Sequence, residues 1–427
     1  MRVSTTDHGP RTTNDRPRRA GARWSVLLAL LTAWLPAVPA AAQPAEALSD
    51  SAAVSLLTML PGEEVYSAFG HSAFRIHDPA LGLDRTYNFG TFDFEQPFFV
   101  VRFLRGQLDY LLDTAPYDAE VYRYWTLGRP VVEQHLALPP ETVRALYAML
   151  EENALPENRA YRYDFFYDNC STRLLDALDS ALVASGQPAL TLRAPYVPRT
   201  FRAHLQPYLD GAPLLDLGID LGLGLPTDRA ATAREATFLP VELMRQAGGA
   251  ASGGRPLVAR TDTLFWFPGY TATGDAFDWP LALAAALLAL GLGATLWGAW
   301  RRRTASGRGR LGDAVLFAVA GAAGLIMAFL WLGTEHTVTG PNLNLLWAWP
   351  THAAAAWGLR RAALPGWLRG YLYATAAVTG LTAVLWGWLP QVLPTPALFF
   401  ALLLTARALV RARFSGMGER GNGRKGD

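Results

Sequence analysis

Cysteine is nearly missing from this chain: Cys170 is the only one in 427 residues. In an oxidising compartment structural cysteines come in pairs, so a single thiol excludes a disulfide framework and leaves this residue to be explained otherwise. No cysteine stands near residue 42, which excludes lipid attachment at that point. Histidine is scarce too, at seven, and no histidine, carboxylate and cysteine spacing resembles a zinc site, so neither a metal nor a cofactor is called for. A surplus of one charge is also lacking. Lys and Arg total 38 against 36 Asp and Glu, a net of +2 with the arginines scattered, so there is no nucleic-acid footprint.

What is present divides the chain into four. Residues 1–42 read as a signal peptide: Arg16, Arg18, Arg19 and Arg23, an apolar run from Trp24 to Leu35, then Ala40, Ala41 and Ala42. Residues 43–277 have the composition of an exported domain, 278–412 are dominated by apolar spans, and 413–427 form a basic tail.

Cys170 lies where an aromatic-rich extended stretch meets a helix. Leu174, Leu175, Leu178, Ala181 and Leu182 make one apolar stripe, with Asp168 or Asn169 as the N-cap. A thiol in the first turn sits at the positive end of the helix dipole, which favours thiolate, so a lowered pKa and rapid alkylation are expected. Buried small hydrophobe is the other reading of a lone cysteine. The polar neighbours Asp168, Asn169, Ser171 and Thr172 favour a nucleophile. Amides at this helix start, around Asn169 and Ser171, are placed to stabilise an oxyanion.

A thiol nucleophile needs a base. His71, His77, His135 and His204 are the histidines of the exported domain. His71 follows Gly70 and opens a strand whose Phe74 and Ile76 alternate with Ala73, Arg75 and His77; a turn at Pro79–Gly82 and a strand around Thr86–Phe92 complete a hairpin. His71 is well placed to face a helix start, His77 falls at the far end by the turn, and His135 reads as a strand's polar face. Asn88 falls roughly opposite Phe74 or Ser72 and is the first choice to orient the imidazole, with Asp93 second; an ordinary hairpin hydrogen bond explains either equally well.

From Trp279 onward about five apolar spans follow, near 279–300, 312–333, 343–359, 370–388 and 392–410. Arginines cluster after the first, third and fifth, which puts those ends inside and the 43–277 domain outside. The expected location is the bacterial inner membrane, multi-pass, with a periplasmic catalytic domain. Glu335, His336, Asn342 and Asn344 gather after the second span, as substrate contacts or as caps. His352, beside Pro350, is expected to satisfy a carbonyl freed by the proline. The segment Pro97–Arg105, with Phe98 and Phe99, is either a core helix or an apolar lip that dips into the outer leaflet and receives an acyl chain. Residues 247–254 look like a flexible loop.

Several ordered motifs carry a resemblance: Phe69-Gly70-His71-Ser72-Ala73-Phe74-Arg75, Tyr87-Asn88-Phe89-Gly90-Thr91-Phe92-Asp93-Phe94, Arg105-Gly106-Gln107-Leu108-Asp109-Tyr110 and Tyr167-Asp168-Asn169-Cys170-Ser171-Thr172-Arg173. With Asp220–Arg229, Phe238-Leu239-Pro240 and Asn342–Trp347 followed by Pro350, the chain resembles the Lnb N-terminal periplasmic domain family over about 60 to 277 and on through the membrane part. The resemblance implies an α+β thiol-hydrolase-like domain of the permuted papain and NlpC type, followed by an all-α polytopic membrane domain. It also implies a lipoprotein N-acyltransferase in which His71 and Cys170 match the catalytic pair. The partners would be a phospholipid acyl donor, a diacylated lipoprotein acceptor and the membrane, with no nucleic acid. Two other readings stand beside it: a membrane-anchored NlpC-like cell-wall peptidase or amidase, and a non-catalytic envelope binding protein in which Cys170 is structural.

Overall fold

The computed structural model describes residues 47–414 apart from 93–94, 273, 275, 301–306 and 362. The expected signal peptide, Asp93, the arginines Arg301–Arg303 and most of the basic tail lie outside the described residues.

The chain first builds an antiparallel sheet from β1 (Ala53–Met59), β2 (His71–Asp78), β3 (Leu83–Thr91), β4 (Asp109–Pro116), β5 (Val131–Leu136), β6 (Ala160–Arg162) and β10 (Val258–Phe265), in the order β10-β5-β1-β2-β3-β4-β6. The expected hairpin is β2 and β3. Their ladder runs from Asp78↔Leu83 only as far as Phe74↔Tyr87, so Asn88 does not pair with Phe74, and the ends carrying His71 and Gly90 are splayed. Period-2 alternation sends Leu56, Phe74, Ile76, Tyr87 and Phe89 to one face and Leu57, Met59, Ala73 and Val131 to the other.

Helices seal both faces. The second face is covered by α2 (Tyr117–Thr126), which follows the short α1 (Phe99–Leu104) and contributes Tyr124. The first face receives α3 (Pro140–Ala154) and α4 (Cys170–Ala184). The stripe Leu174, Leu175, Leu178, Ala181 and Leu182 is wholly buried there. Each buried leucine stabilises by about 1.5–3 kcal/mol, so the first turn of α4 is held firmly against the sheet.

The chain then runs through α5 (Phe201–Leu205), α6 (Pro213–Gly222) and α7 (Pro240–Gly249). Residues 247–254 are not one loop: they end α7 and supply β8 (Ala251–Ser252), which with β7 (Leu190–Thr191) and β9 (Arg255–Pro256) makes a small second sheet. An aromatic cluster of Phe166, Phe201 and Phe238 fills the space beneath.

The rest is helical: α8 (Trp279–Trp300), α9 (Gly307–Leu332), α10 (His352–Leu359), α11 (Gly366–Val384) and α12 (Thr395–Phe414). Among the described residues three stretches are long and apolar enough to cross a membrane: Trp279–Trp297, Gly309–Leu332 and Thr395–Arg413. The third apolar stretch expected from the sequence is not one helix. It is a 3-10 turn at Leu343–Leu346, an irregular passage through Pro350 and then the eight-residue α10, which at 1.5 Å per residue reaches only about 12 Å. The irregular part is covered by α9, where a Cβ on Gly324 would lie 2.1 Å from the Ala348 carbonyl oxygen. Here His352 Nε2 bonds the Trp347 carbonyl at 3.2 Å and its Nδ1 meets the Tyr371 hydroxyl at 2.6 Å. Outward residues such as Leu290, Leu296, Ile326, Leu332 and Val384 are exposed, an apolar belt suited to lipid.

Candidate active site

Asn169, not Asp168, caps α4. Its Oδ1 accepts from the Ser171 and Thr172 amides at 2.8 and 3.0 Å, and the Thr172 hydroxyl accepts from the Asn169 amide at 2.8 Å. Its Nδ2 is spent on the carbonyls of Phe165 and Phe238, at 2.7 and 2.8 Å. The Asn169 side chain therefore organises the turn and has no donor left for an oxyanion. Asp168 instead clasps Arg173 through two bonds of 2.5 and 2.8 Å. Ser171 is buried with its hydroxyl donating to Ser72 Oγ at 3.2 Å.

This packing seats Cys170 in the splay between β2 and β3. Its thiol meets the Ser72 amide on one side and the Ser171 hydroxyl, at 3.9 Å, on the other. A Cβ on Gly90, whose φ is 92°, would lie 3.5 Å from Cys170 Cβ and 3.8 Å from Tyr163 Cε2. The expected lowering of the thiol pKa does not occur. Burial pushes it up and outweighs the amides of Ser72 and Ser171, because removing the sulfur from water costs the thiolate more than these dipoles return. The resting group is a thiol.

His71 begins β2 one residue from the amide that touches the thiol. Gly70 makes that start possible: its φ is 85°, and a Cβ there would meet the Met59 carbonyl oxygen at 2.9 Å. His71 Nε2 lies 3.3 Å from Asn88 Oδ1, while Asn88 Nδ2 donates to Thr86 Oγ1 at 3.2 Å. An amide oxygen only accepts, so Nε2 carries the proton and Nδ1 keeps its lone pair. Burial, then the nearby Arg129 guanidinium, lower the imidazole pKa to about 4, against the Asn88 bond that raises it. The ring is a neutral base at neutral pH. No hydrogen bond among the described residues joins it directly to the Cys170 sulfur.

Two neighbours escaped the sequence reading. Arg129, buried after the turn at Gly128, donates Nε to the Leu60 carbonyl at 2.9 Å and lies 4.9 Å over the Tyr124 ring. Tyr161, on β6, has its ring 3.6 Å from the Arg173 guanidinium. Neither has a motif around it that distinguishes it from any buried arginine or strand tyrosine.

The segment with Phe98 and Phe99 is not a core helix, since no residue of α1 is buried. Phe98 is 81% exposed, and Val100, Val101, Phe103 and Leu104 are exposed as well. Half-buried Phe99 stacks on Phe103 at 6.3 Å and approaches Phe92 at 6.0 Å; Phe92 meets Tyr110 at 5.3 Å, and Tyr110 stacks on Tyr163 at 4.1 Å. A run of rings thus leads from α1 to the thiol.

The polar group after α9 acts as a fastening. The Glu335 amide donates to the Arg105 carbonyl at 2.9 Å, its carboxylate accepts from Gln107 and Arg162 at 2.6 and 3.1 Å, and His336 Nε2 donates to the Leu104 carbonyl at 3.2 Å. Asn342 and Asn344 donate to the carbonyls of Leu221 and Asp220, in a segment that Arg202 holds through Asp220 and Asp228. Asn342 caps the 3-10 turn at Leu343–Leu346, and Glu335, His336 and Asn344 make docking contacts.

Such contacts join a sheet-rich domain to helices long and apolar enough to cross a membrane. Residues 42–206 match the family model described as the Lnb N-terminal periplasmic domain, and residues 273–416 match that of the Lnb transmembrane domain. The chain belongs to the Lnb family. Residues 207–272, which include Asp220–Arg229 and Phe238–Pro240, fall between the two matches. No curated protein and no solved structure matches the chain.

Proposed function

We propose that this protein is a cysteine-dependent lipoprotein N-acyltransferase with a thiol-hydrolase site of the permuted papain type. His71 Nδ1 takes the Cys170 proton as sulfur attacks an ester carbonyl of a phospholipid. The alkoxide leaves with that proton as a lysophospholipid, and Cys170 carries the acyl group as a thioester. The free amine of a diacylglyceryl-cysteine lipoprotein then attacks the thioester, His71 accepts the amine proton, and the amide departs as the thiol re-forms.

The observation that carries this reading is the succession of ring contacts from the exposed α1 through Phe92 and Tyr110 to Tyr163, which lies beside Gly90 and Cys170, with α1 tied to the end of α9 by Glu335 and His336. An acyl chain needs such an apolar route; a soluble peptide does not. Five passages across the inner membrane would combine the three long apolar stretches with α11 and, as the third, the broken segment through α10. Irregular backbone is tolerated at that depth where protein covers it.

The test is single-turnover. Phospholipid with a labelled acyl chain should charge Cys170, and a diacylated lipopeptide with a free amine should discharge it into an amide, whereas the N-acetylated lipopeptide should not. Cleavage of peptidoglycan peptides without uptake of lipid label would replace this reading by the peptidase.

A further inference from the structure

Tyr161 brings an unused donor to the thiol. Its residue is buried, and its hydroxyl oxygen is sealed from solvent without a hydrogen-bond partner among the described residues. A buried hydroxyl left without a partner is costly, and such groups are usually satisfied. The point where a Gly90 Cβ would stand is 3.9 Å from that oxygen and 3.5 Å from Cys170 Cβ, so glycine keeps open a small space between the two. The pairing Tyr110↔Tyr161 fixes the backbone, and Arg173, itself gripped by Asp168, lies over the ring. A cation on the ring face draws electron density from the phenol and makes its proton a better donor.

We propose that the Tyr161 hydroxyl is part of the oxyanion hole and donates a hydrogen bond to the acyl carbonyl oxygen in the space over Gly90. As the Cys170 sulfur bonds to the carbonyl carbon, the π pair moves onto oxygen and the Tyr161 bond strengthens; the phenol keeps its proton throughout. On collapse that pair re-forms the carbonyl and the ester alkoxide is expelled, to be protonated by His71. Burial and the neighbouring Cys170 raise the phenol pKa, so the donor is never lost at working pH. The Ser72 amide is the second donor beside the sulfur. This assignment rests on the acyl-enzyme chemistry proposed above and applies to any ester that Cys170 attacks.

Tyr161→Phe tests it in the full chain held in detergent micelles. With p-nitrophenyl hexanoate, the nitrophenolate burst reports acylation of Cys170, and Cys170→Ala sets the zero. The burst should slow on the order of 10²-fold in Tyr161→Phe. Iodoacetamide alkylation builds no oxyanion and should proceed at the parent rate, and Tm should not fall, because the lost hydroxyl had no partner. An unchanged burst, or a joint fall in burst, alkylation and Tm, would overturn the assignment. A Tyr161-dependent burst in a protein that takes no acyl chain from phospholipid would sink the transferase reading and leave Tyr161 in place. No burst from the wild type would overturn both.

Discussion

Replacing Arg129 with Met removes the charge that, after burial, does most to keep His71 neutral. With the ring lowered from 6.5 to about 4, the preference for the neutral form is at most about 3 kcal/mol at 1.36 kcal/mol per unit. The sign is set by which state binds the proton. As pH falls through 6.5 the unfolded chain's histidine charges, while the folded one holds out until about 4, so stability is lost across that window and the loss is complete below it. Catalysis reads the same group differently: kcat/KM for acyl transfer reports the free base, so its acid limb should fall near pH 4. In Arg129→Met the limb should move up but stay below 6.5, because burial, the larger cause, is untouched. Arg129→Lys keeps the charge and should keep the limb. The methionine variant also loses the bond to the Leu60 carbonyl and the contact with Tyr124, so its Tm should drop by an amount equivalent to about 1–3 kcal/mol. A wild-type acid limb at 6.5, or a limb that ignores Arg129→Met, would refute the reasoning.

Cys170→Ala and His71→Ala should each abolish transfer and the double variant should be no worse, since residues that act as one unit are non-additive; additive losses in single-turnover assays would separate them. Iodoacetamide should label Cys170 more slowly than a free thiol at neutral pH and accelerate as pH rises, because burial holds the thiol up; fast labelling at pH 7 would contradict that. Phe98→Asp should fold normally, since Phe98 sits at φ 58°, a region Asp tolerates, and points to solvent; it should slow charging from vesicles but not from a soluble ester. Gly324→Ala would drive a methyl to 2.1 Å from the Ala348 oxygen and should destabilise the helical part by about 1–3 kcal/mol, read as a lower thermal midpoint in detergent. Reporters after Arg303 and at the C-terminus should lie in the cytoplasm and one near Gly340 outside; the reverse would break the arginine-based topology.

Periodicity and local chemistry were legible along the chain. The stripe from Leu174 to Leu182, the turn between Asp78 and Leu83, and the apolar runs from Trp279 are repeats of 3.6, of 2 and of bilayer length, and each is a property of neighbours in sequence. His71 and Cys170 carry signals of the same local kind: a thiol at a helix start, and a histidine after a glycine at a strand start. β10 was not legible, because its partner β5 lies more than a hundred residues earlier and its Arg260, Thr261 and Asp262 hide the alternation. The cap went to Asn169 because its amide also finds the Phe238 carbonyl, a contact no spacing rule contains. The thiol pKa rises because burial is a sum over everything packed around a group, whereas the helix dipole that argued for lowering it is local. Arg129 comes beside His71, and Tyr161 beside Cys170, for the same reason: their segments meet only when the sheet is assembled. Short-range pattern sets where elements begin and which face is apolar; which polar groups meet, and which go unpaired, depends on long-range packing.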